Sequence, residues 1–167
     1  DRVAEKVFQL FARAVLAGTA IGLLAGAVNG GLIAAFKIPP FIATLGMMTI
    51  ARGLAYIYSN GRPVSTLTPD FLFLGGGDIL GLPVPIIIFG TVIVLTHLML
   101  NYTRFGRHVY AIGGNETAAR VSGVNLGRTK VLIYTFSGLM AGLGGIVITA
   151  RVQSATPALG MGYELDA

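Results

Sequence analysis

Four long segments of this chain are almost free of charge, and that pattern limits the folds the chain can adopt. They cover residues 14–36, 38–58, 82–100 and 131–150, and the only Lys, Arg, Asp or Glu within them is Arg52. A helix needs about 20 mostly apolar residues to cross a bilayer, whereas a membrane strand needs about 10 alternating ones. We therefore predict an all-α, polytopic helical membrane protein with about four full spans.

Composition supports a membrane protein over a soluble one. Hydrophobic residues make up 54% of the chain and charged residues 11%, while soluble domains carry roughly 25% charged residues. A disordered tail is also excluded, because disorder requires low hydrophobicity. The net charge of +5 comes from basic residues placed mostly between the apolar segments, so we expect a bilayer partner and no nucleic acid.

The chain contains no recognisable catalytic equipment. It has no cysteine, and no GxSxG, HExxH or GxxxxGK[ST] motif occurs in it. His97 and His108 have no adjacent carboxylate to orient them. We expect no catalytic residue, no metal, no cofactor and no enzymatic activity of its own, so any energy for transport would enter through a partner.

Basic residues predict how the segments are oriented. Residues 101–130 contain five of them (Arg104, Arg107, Arg120, Arg128 and Lys130), whereas residues 59–81 contain one Arg and two Asp. Short loops rich in Lys and Arg stay in the cytoplasm. We predict that 101–130 is cytoplasmic, that 59–81 and the segment after 150 are outside, and that the turn at 37–40 is inside.

The two ends of the chain leave questions open. Residues 1–13 would lie outside by alternation, yet they carry three basic residues. They form either an amphipathic helix in the membrane interface or the end of a longer helix. The chain begins with Asp1 and stops at Ala167 without a polar tail, so we expect a single membrane domain over 1–167 that is truncated at both ends.

Small residues predict how the helices pack. They recur every four positions in the first segment (Ala14, Gly18, Gly22, Gly26, Gly30 and Ala34). The fourth segment has Ser137, Ala141, Gly145 and Thr149, with Gly138 and Gly142 beside them. Small residues let helix backbones approach closely in lipid. Pro39-Pro40 fits a first helical turn, which predicts a tight helical hairpin of the first two segments.

Polar residues inside the spans are candidates for a path through the membrane. Arg52 either extends its charge towards the membrane surface or lines such a path, since a central arginine is costly in lipid. Asn29, Thr44 and Thr49 either make interhelical hydrogen bonds or line the same path. We take these four residues as the tentative path.

The sequence of the cytoplasmic segment 101–130 predicts a short helix that does not enter the membrane. Asn115 is a suitable N-cap, Glu116 favours the first turn, and Gly123 can end the helix. Asn125 can cap the next helix, which enters the membrane at 130–131. On these residues alone, the short helix is either a docking element for another protein or a simple surface helix.

Several motifs together resemble one known family. They are Pro39–Gly53 (PPFIATLGMMTIARG), Thr103–Arg107 (TRFGR), Ala111–Glu116 (AIGGNE), Ser122–Asn125 (SGVN) and Gly162–Ala167 (GYELDA). Over roughly residues 14–167 the chain resembles the membrane permease subunits of bacterial ABC importers for monosaccharides, of the ribose/xylose/galactose type, and the ribose permeases most.

The resemblance implies a function, a location and partners. It implies a multi-pass permease in the bacterial inner membrane that forms the path for a ribose-like monosaccharide. The implied partners are an ABC ATPase subunit, a periplasmic sugar-binding protein and a second permease copy. A non-transporting scaffold subunit and a passive channel are the alternatives. An ion-driven carrier is disfavoured, because no span contains Asp or Glu.

The resemblance also assigns the predicted short helix to ATPase coupling. The implied coupling residues are Gly113, Gly114, Asn115, Glu116, Thr117, Ala118, Ala119, Arg120, Gly123 and Asn125. Many ABC importers carry an EAA-xxx-G pattern at this place. Here the AA-xxx-G part is kept from Ala118 to Gly123, while Thr117 stands at the glutamate position and Glu116 precedes it.

Overall fold

A computed structural model describes residues 2–65, 67–79 and 81–162 of the chain. Its helices are α1 (Arg2–Phe36), α2 (Pro40–Ser59), α3 (Pro69–Gly76), α4 (Val84–Tyr102), α5 (Arg104–Gly114), α6 (Glu116–Val121) and α7 (Leu126–Val152). Two short strands, β1 (Asp78–Ile79) and β2 (Leu82–Pro83), pair antiparallel. The motif residues at 163–167 lie outside the described residues.

Four of these helices contain a segment long and apolar enough to cross a membrane. The segments are Ala12–Phe36, Pro40–Ser59, Val84–Tyr102 and Leu126–Val152. The predicted all-α, polytopic fold is confirmed, with a two-residue hairpin as the only addition in the described chain. Residues 2–13 continue α1 without a break, as expected for part of a longer helix rather than for a separate interfacial helix.

Helices α1 and α7 form the closest pair in the bundle. A Cβ atom added at Gly22 would lie 2.9 Å from the Cα of Gly142, and one added at Gly26 would lie 3.0 Å from the Cα of Gly138. The partner residue number falls as the α1 number rises, so the helices run antiparallel. The predicted small-residue contact is confirmed, because only glycine leaves room for these backbones to touch.

The face that α7 uses for this contact differs from the predicted one. Gly138 and Gly142, which we placed beside the main column, make the contact, together with Ile146 against Gly18. A Cβ atom added at Gly145 would meet no described atom within 4 Å, and Ser137 is exposed. The column from Ser137 to Thr149 is therefore the wrong face for α1, because it lies about one residue step around the helix.

Helix α2 is connected as predicted but packed differently. Three residues, Lys37–Pro39, join it to α1, and Pro40 begins it without a side-chain cap. No residue of α2 is buried, and a groove separates it from α1 and α7. Helices α1 and α2 thus form a hairpin at the predicted tight re-entry, but they do not pack closely beyond the turn, because α2 has no continuous small-residue face for α1.

The connection between α2 and α4 folds over one end of α7. Phe71 of α3 is buried in a cluster with Ile146 and Ala150. A Cβ atom at Gly75 would collide with the backbone of Ala150. Val64 exchanges two backbone hydrogen bonds with Ala155, of 3.0 and 2.9 Å. Helix α3 therefore packs on the bundle rather than standing apart from it.

The segment 101–130 is mostly helical, whereas we predicted a loop with one short helix. Helix α5 was missed, although Thr103 accepts a hydrogen bond from the backbone N–H of Gly106 at 3.3 Å and so caps it. Phe105, Val109 and Ile112 are half-buried along one face of α5. Their spacing and the preceding threonine were visible in the sequence.

The connections fall at two opposite ends of the bundle. Residues of the 37–40 turn line one pocket with residues of α6 and the start of α7. Residues 64–75 lie against the other end of α7, beside residues 150–155. Successive spans were predicted to cross the membrane in alternating directions, with 37–40 and 101–130 on one side and 59–81 and the segment after 150 on the other. The two ends of the bundle group these connections in the same way.

Candidate functional site

A groove runs between α2 and the α1–α7 pair. It comprises two adjoining cavities of about 830 and 620 Å³. Helix α7 lines both cavities with Ala141, Gly145 and Thr149, and α2 lines both with Ala55. The second small-residue column of α7 thus faces this open space rather than another helix.

One of the four predicted path residues lines this groove. Arg52 faces the smaller cavity together with Thr149 and Thr156, so a guanidinium and two hydroxyl-bearing residues line one space. Hydroxyls and guanidinium groups are donors suited to a neutral polyol. The contribution of Thr149 and Thr156 was missed, because one belongs to a packing column and the other follows the last helix.

The other three path candidates do not join Arg52. The Thr44 hydroxyl donates to the carbonyl oxygen of Pro40 at 3.0 Å, and the Thr49 hydroxyl donates to that of Gly46 at 2.8 Å. Both side chains therefore bond their own helix. Asn29 is buried in α1 at 9% exposure, and its Oδ1 atom has no hydrogen-bond partner among the described residues.

The local structure of the predicted coupling helix is confirmed. The Asn115 side chain accepts a hydrogen bond from the Ala118 N–H at 3.0 Å, and the Asn125 side chain accepts one from the Arg128 N–H at 3.0 Å. Gly123 has a φ of +82°, a left-handed conformation that favours glycine. Gly113 and Gly114 belong instead to the end of α5.

One face of α6 is attached to the bundle. Lys130 Nζ donates to Glu116 Oε1 at 2.8 Å and to Oε2 at 2.9 Å. This bond lowers the pKa of Glu116, and the nearby charge of Arg120 lowers it further. Ala119 is buried at 4% exposure, and its carbonyl oxygen accepts from the N–H of Val124 at 3.0 Å.

The opposite face of α6 is exposed in the part of the chain that the structure describes. Thr117 and Ala118 are exposed, and Val121 is 85% exposed. Small side chains and one apolar residue therefore form the outer surface of a short, capped helix. The predicted coupling residues divide into this outer face and the attached face with Glu116 and Ala119.

No group of three or more His, Cys, Asp or Glu side chains is placed to hold a metal ion within residues 2–65, 67–79 and 81–162. The candidate site is thus a membrane groove at α2 and α7 together with a surface helix at the bundle's end. Helix α7 is common to both, since it lines the groove and bears Lys130.

Comparison with known proteins shows close relatives. The chain is 46% identical over 158 residues to the ribose import permease protein RbsC of Escherichia coli, covering 92% of this chain and 49% of that protein. It is 47% identical over 141 residues to RbsC of Bacillus subtilis, covering 83% and 44%. The L-arabinose transport system permease protein AraH of Escherichia coli is 46% identical over 138 residues, covering 83% and 42%.

The chain spans about half the length of the curated relatives it matches. No solved structure matches it significantly. The family model described as the permease component of branched-chain amino acid transport systems matches residues 3–167. This match includes most of residues 1–13, whereas the resemblance seen in the sequence motifs began at about residue 14. The chain therefore belongs to this family of membrane permease components.

Proposed function

We propose that this chain is part of the permease of an ATP-driven sugar importer in the bacterial inner membrane. The observation that carries the proposal is the 46% identity to a ribose import permease over 92% of the chain. The substrate class we infer is a ribose-like monosaccharide. A periplasmic binding protein would supply the sugar, an ABC ATPase would supply the energy, and a second permease copy would complete the assembly.

The groove between α2 and α7 is our candidate for part of the sugar path. Its α7 wall consists of small residues, so a sugar ring could pass the helix without displacing large side chains. Arg52, Thr149 and Thr156 supply hydrogen-bonding groups in one of its two cavities. Because α2 has no buried residue, its displacement relative to α7 would disrupt few packing contacts.

We infer that α6 couples the ATPase to this groove. The outer face around Ala118 and Val121 would seat in the ATPase. Movement of α6 would then pull on Lys130 through Glu116. Since Lys130 belongs to α7, the displacement reaches the helix that lines the groove.

Sugar uptake into proteoliposomes tests the coupling role. We expect Val121→Asp to abolish ATP-driven uptake and co-purification of the ATPase, because the carboxylate would be desolvated in the contact. Gln153→Asp, an exposed change at the other end of α7, should leave both intact. Normal uptake by Val121→Asp would refute the docking face.

Thiol labelling tests the path. The chain has no cysteine, so Ala55→Cys introduces a single reporter into the groove. We expect ribose, presented by its binding protein, to slow maleimide labelling of Ala55→Cys but not of Leu54→Cys, which lies 61% exposed on α2 outside the groove lining. Equal labelling rates with and without sugar at both positions would exclude the groove.

The same assays separate the two alternative functions. A passive channel would equilibrate ribose across the membrane without ATP, and a scaffold subunit would support assembly with no uptake. Either outcome would replace the importer proposal.

A further inference from the structure

A pocket of about 470 Å³ lies where three membrane helices end. Its walls come from the last turn of α1, the 37–40 turn, α6 and the first turn of α7. Because α1, α2 and α7 each hold a candidate span that starts or stops here, the pocket lies at the membrane boundary, on the side predicted to be cytoplasmic.

Basic side chains dominate the polar lining. Lys37, Arg120 and Lys130 surround the pocket with one carboxylate, that of Glu116, which leaves a net charge of +2. Glu116 is already bonded to Lys130 through both of its oxygens. Among the described residues, neither Lys37 nor Arg120 has a carboxylate within ion-pair distance. Two cations are therefore left to bind an anion.

The rest of the lining is apolar. Ile33 and Ala34 continue from the pocket into the membrane-spanning part of α1, and Leu126 lies on α7. Lys37 has a φ of +54°, a conformation for which glycine would be the cheaper residue. Backbone preference alone would favour glycine at position 37. The lysine found there instead places a cation at the pocket.

We propose that this pocket binds the phosphate headgroup of an anionic phospholipid. Lys37 and Arg120 would hold the phosphate, since both side chains are suited to phosphate oxygens. The acyl chains would follow the partly exposed apolar surface of α1 at Ala34 into the bilayer. Basic pockets between membrane helices on the cytoplasmic side are typical places for such headgroups.

A bound lipid would join the α1–α2 turn to α6. Lys37 precedes α2, and Arg120 belongs to the helix next to α7, so one phosphate would bridge two parts of the bundle that are otherwise joined mainly through α7. The inference concerns lipid binding, and it can hold or fail whether or not the chain transports sugar.

The test uses the intact permease in nanodiscs of neutral phosphatidylcholine, without ATPase or sugar. Phosphatidylglycerol is titrated in, and native mass spectrometry counts the lipids retained. We expect wild type to retain one phosphatidylglycerol with higher affinity than phosphatidylcholine. Lys37→Gln/Arg120→Gln should bind it roughly thirtyfold more weakly, because each basic residue near an anionic surface contributes about fivefold.

Two control variants identify the pocket. Arg128→Gln removes an exposed charge from the same end of the bundle outside the pocket lining and should retain the lipid. Lys37→Arg/Arg120→Lys keeps both charges and should also retain it. Circular dichroism verifies that every variant is folded. Equal lipid retention by wild type and the double glutamine variant would overturn the proposal.

Two further outcomes would also overturn it. If inorganic phosphate binds to detergent-solubilised permease as tightly as the lipid does, the pocket is a site for free phosphate. If the double glutamine variant retains the lipid but loses the ATPase, the pocket belongs to a protein interface.

Discussion

Helices α7 and α2 line the same groove but are held in very different ways. α7 touches α1 backbone to backbone at Gly138 and Gly142, and α3 and α6 contact it as well. α2 has no buried residue, and its two glycines, Gly46 and Gly53, have nothing within 4 Å of an added Cβ. One wall of the groove is thus fixed by close packing, and the other is held mainly at its ends.

The difference teaches what drives packing inside a bilayer. Lipid chains are as apolar as leucine side chains, so apolar character alone gives no reason for helices to associate. α1 and α7 both place glycines four residues apart on one face, and their surfaces fit together. The α2 glycines are seven residues apart with large side chains between them, so α2 cannot approach another helix as closely.

The largest effect is expected where the two backbones touch. Gly138→Leu would force α1 and α7 apart, and we expect a loss of about 3 kcal/mol in unfolding free energy, the upper end for overpacking. Gly46→Leu makes the same chemical change on α2 and should shift it by less than about 0.5 kcal/mol. Unfolding in bicelles measures both. Equal losses would show that α2 is as tightly packed as α7.

Capping offers a second comparison. Asn125→Ala removes the hydrogen bond to the Arg128 N–H and should cost about 1 kcal/mol, as N-cap losses do. Thr44→Ala removes only a hydroxyl that bonds its own helix in α2, and we expect a change within about 0.5 kcal/mol. The same unfolding assay applies, and a larger loss for Thr44→Ala would reverse the assignment of the fixed wall.

Glycine itself can be removed from α2. Gly53→Ala adds a methyl group where no described atom lies within 4 Å. The higher helix propensity of alanine should therefore decide the change in unfolding free energy. We expect stabilisation of about 0.5 kcal/mol. Gly142→Ala on α7, with Gly18 O at 2.9 Å from the added Cβ, should destabilise instead. Stabilisation by both changes would contradict the packing of α1 against α7.

The smallest effect concerns α6, which α7 holds partly through an exposed ion pair. The bond to Lys130 lowers the pKa of Glu116 below its usual 4.5. A lowered carboxyl pKa stabilises the attached form above pH 4.5, and that contribution is lost as pH falls through the lowered pKa.

Hydrogen exchange of the α6 amides measures this effect. Protection should be constant from pH 7 to about 5 after correction for intrinsic rates and should decrease below about 4. Glu116→Gln should show weaker protection at pH 7 and no such decrease. An unchanged pH profile in Glu116→Gln would exclude the ion pair as the attachment.

Local features of this fold could be read from the sequence, but tertiary ones could not. Asn115, Asn125 and Gly123 act through hydrogen bonds and backbone angles within a few residues, and all three were predicted correctly. Helix α7 begins at Leu126, directly after its predicted Asn125 cap, and so starts before the apolar run at 131–150.

The errors concern which surfaces meet. Both columns of α7 carry small residues, and only the position of α1 decides that Gly138 packs while Gly145 faces the groove. The separation of α2 follows from the wide spacing of Gly46 and Gly53 on its own surface, but it was not predicted from the sequence. Of the four path candidates, Arg52 alone lines the described groove, and Thr149 and Thr156 join it only through the fold; its role in a path stays a prediction.

The glycine contact between α1 and α7 also limits how this protein can evolve. Every amino-acid replacement at Gly22, Gly26 or Gly138 adds at least a Cβ atom, and each would meet backbone of the other helix. No amino-acid replacement at these positions can therefore leave the α1–α7 contact unchanged. By contrast, a Cβ atom added at Gly46 or Gly53 meets nothing within 4 Å among the described residues, so close helix contact places no such limit on these two positions of α2.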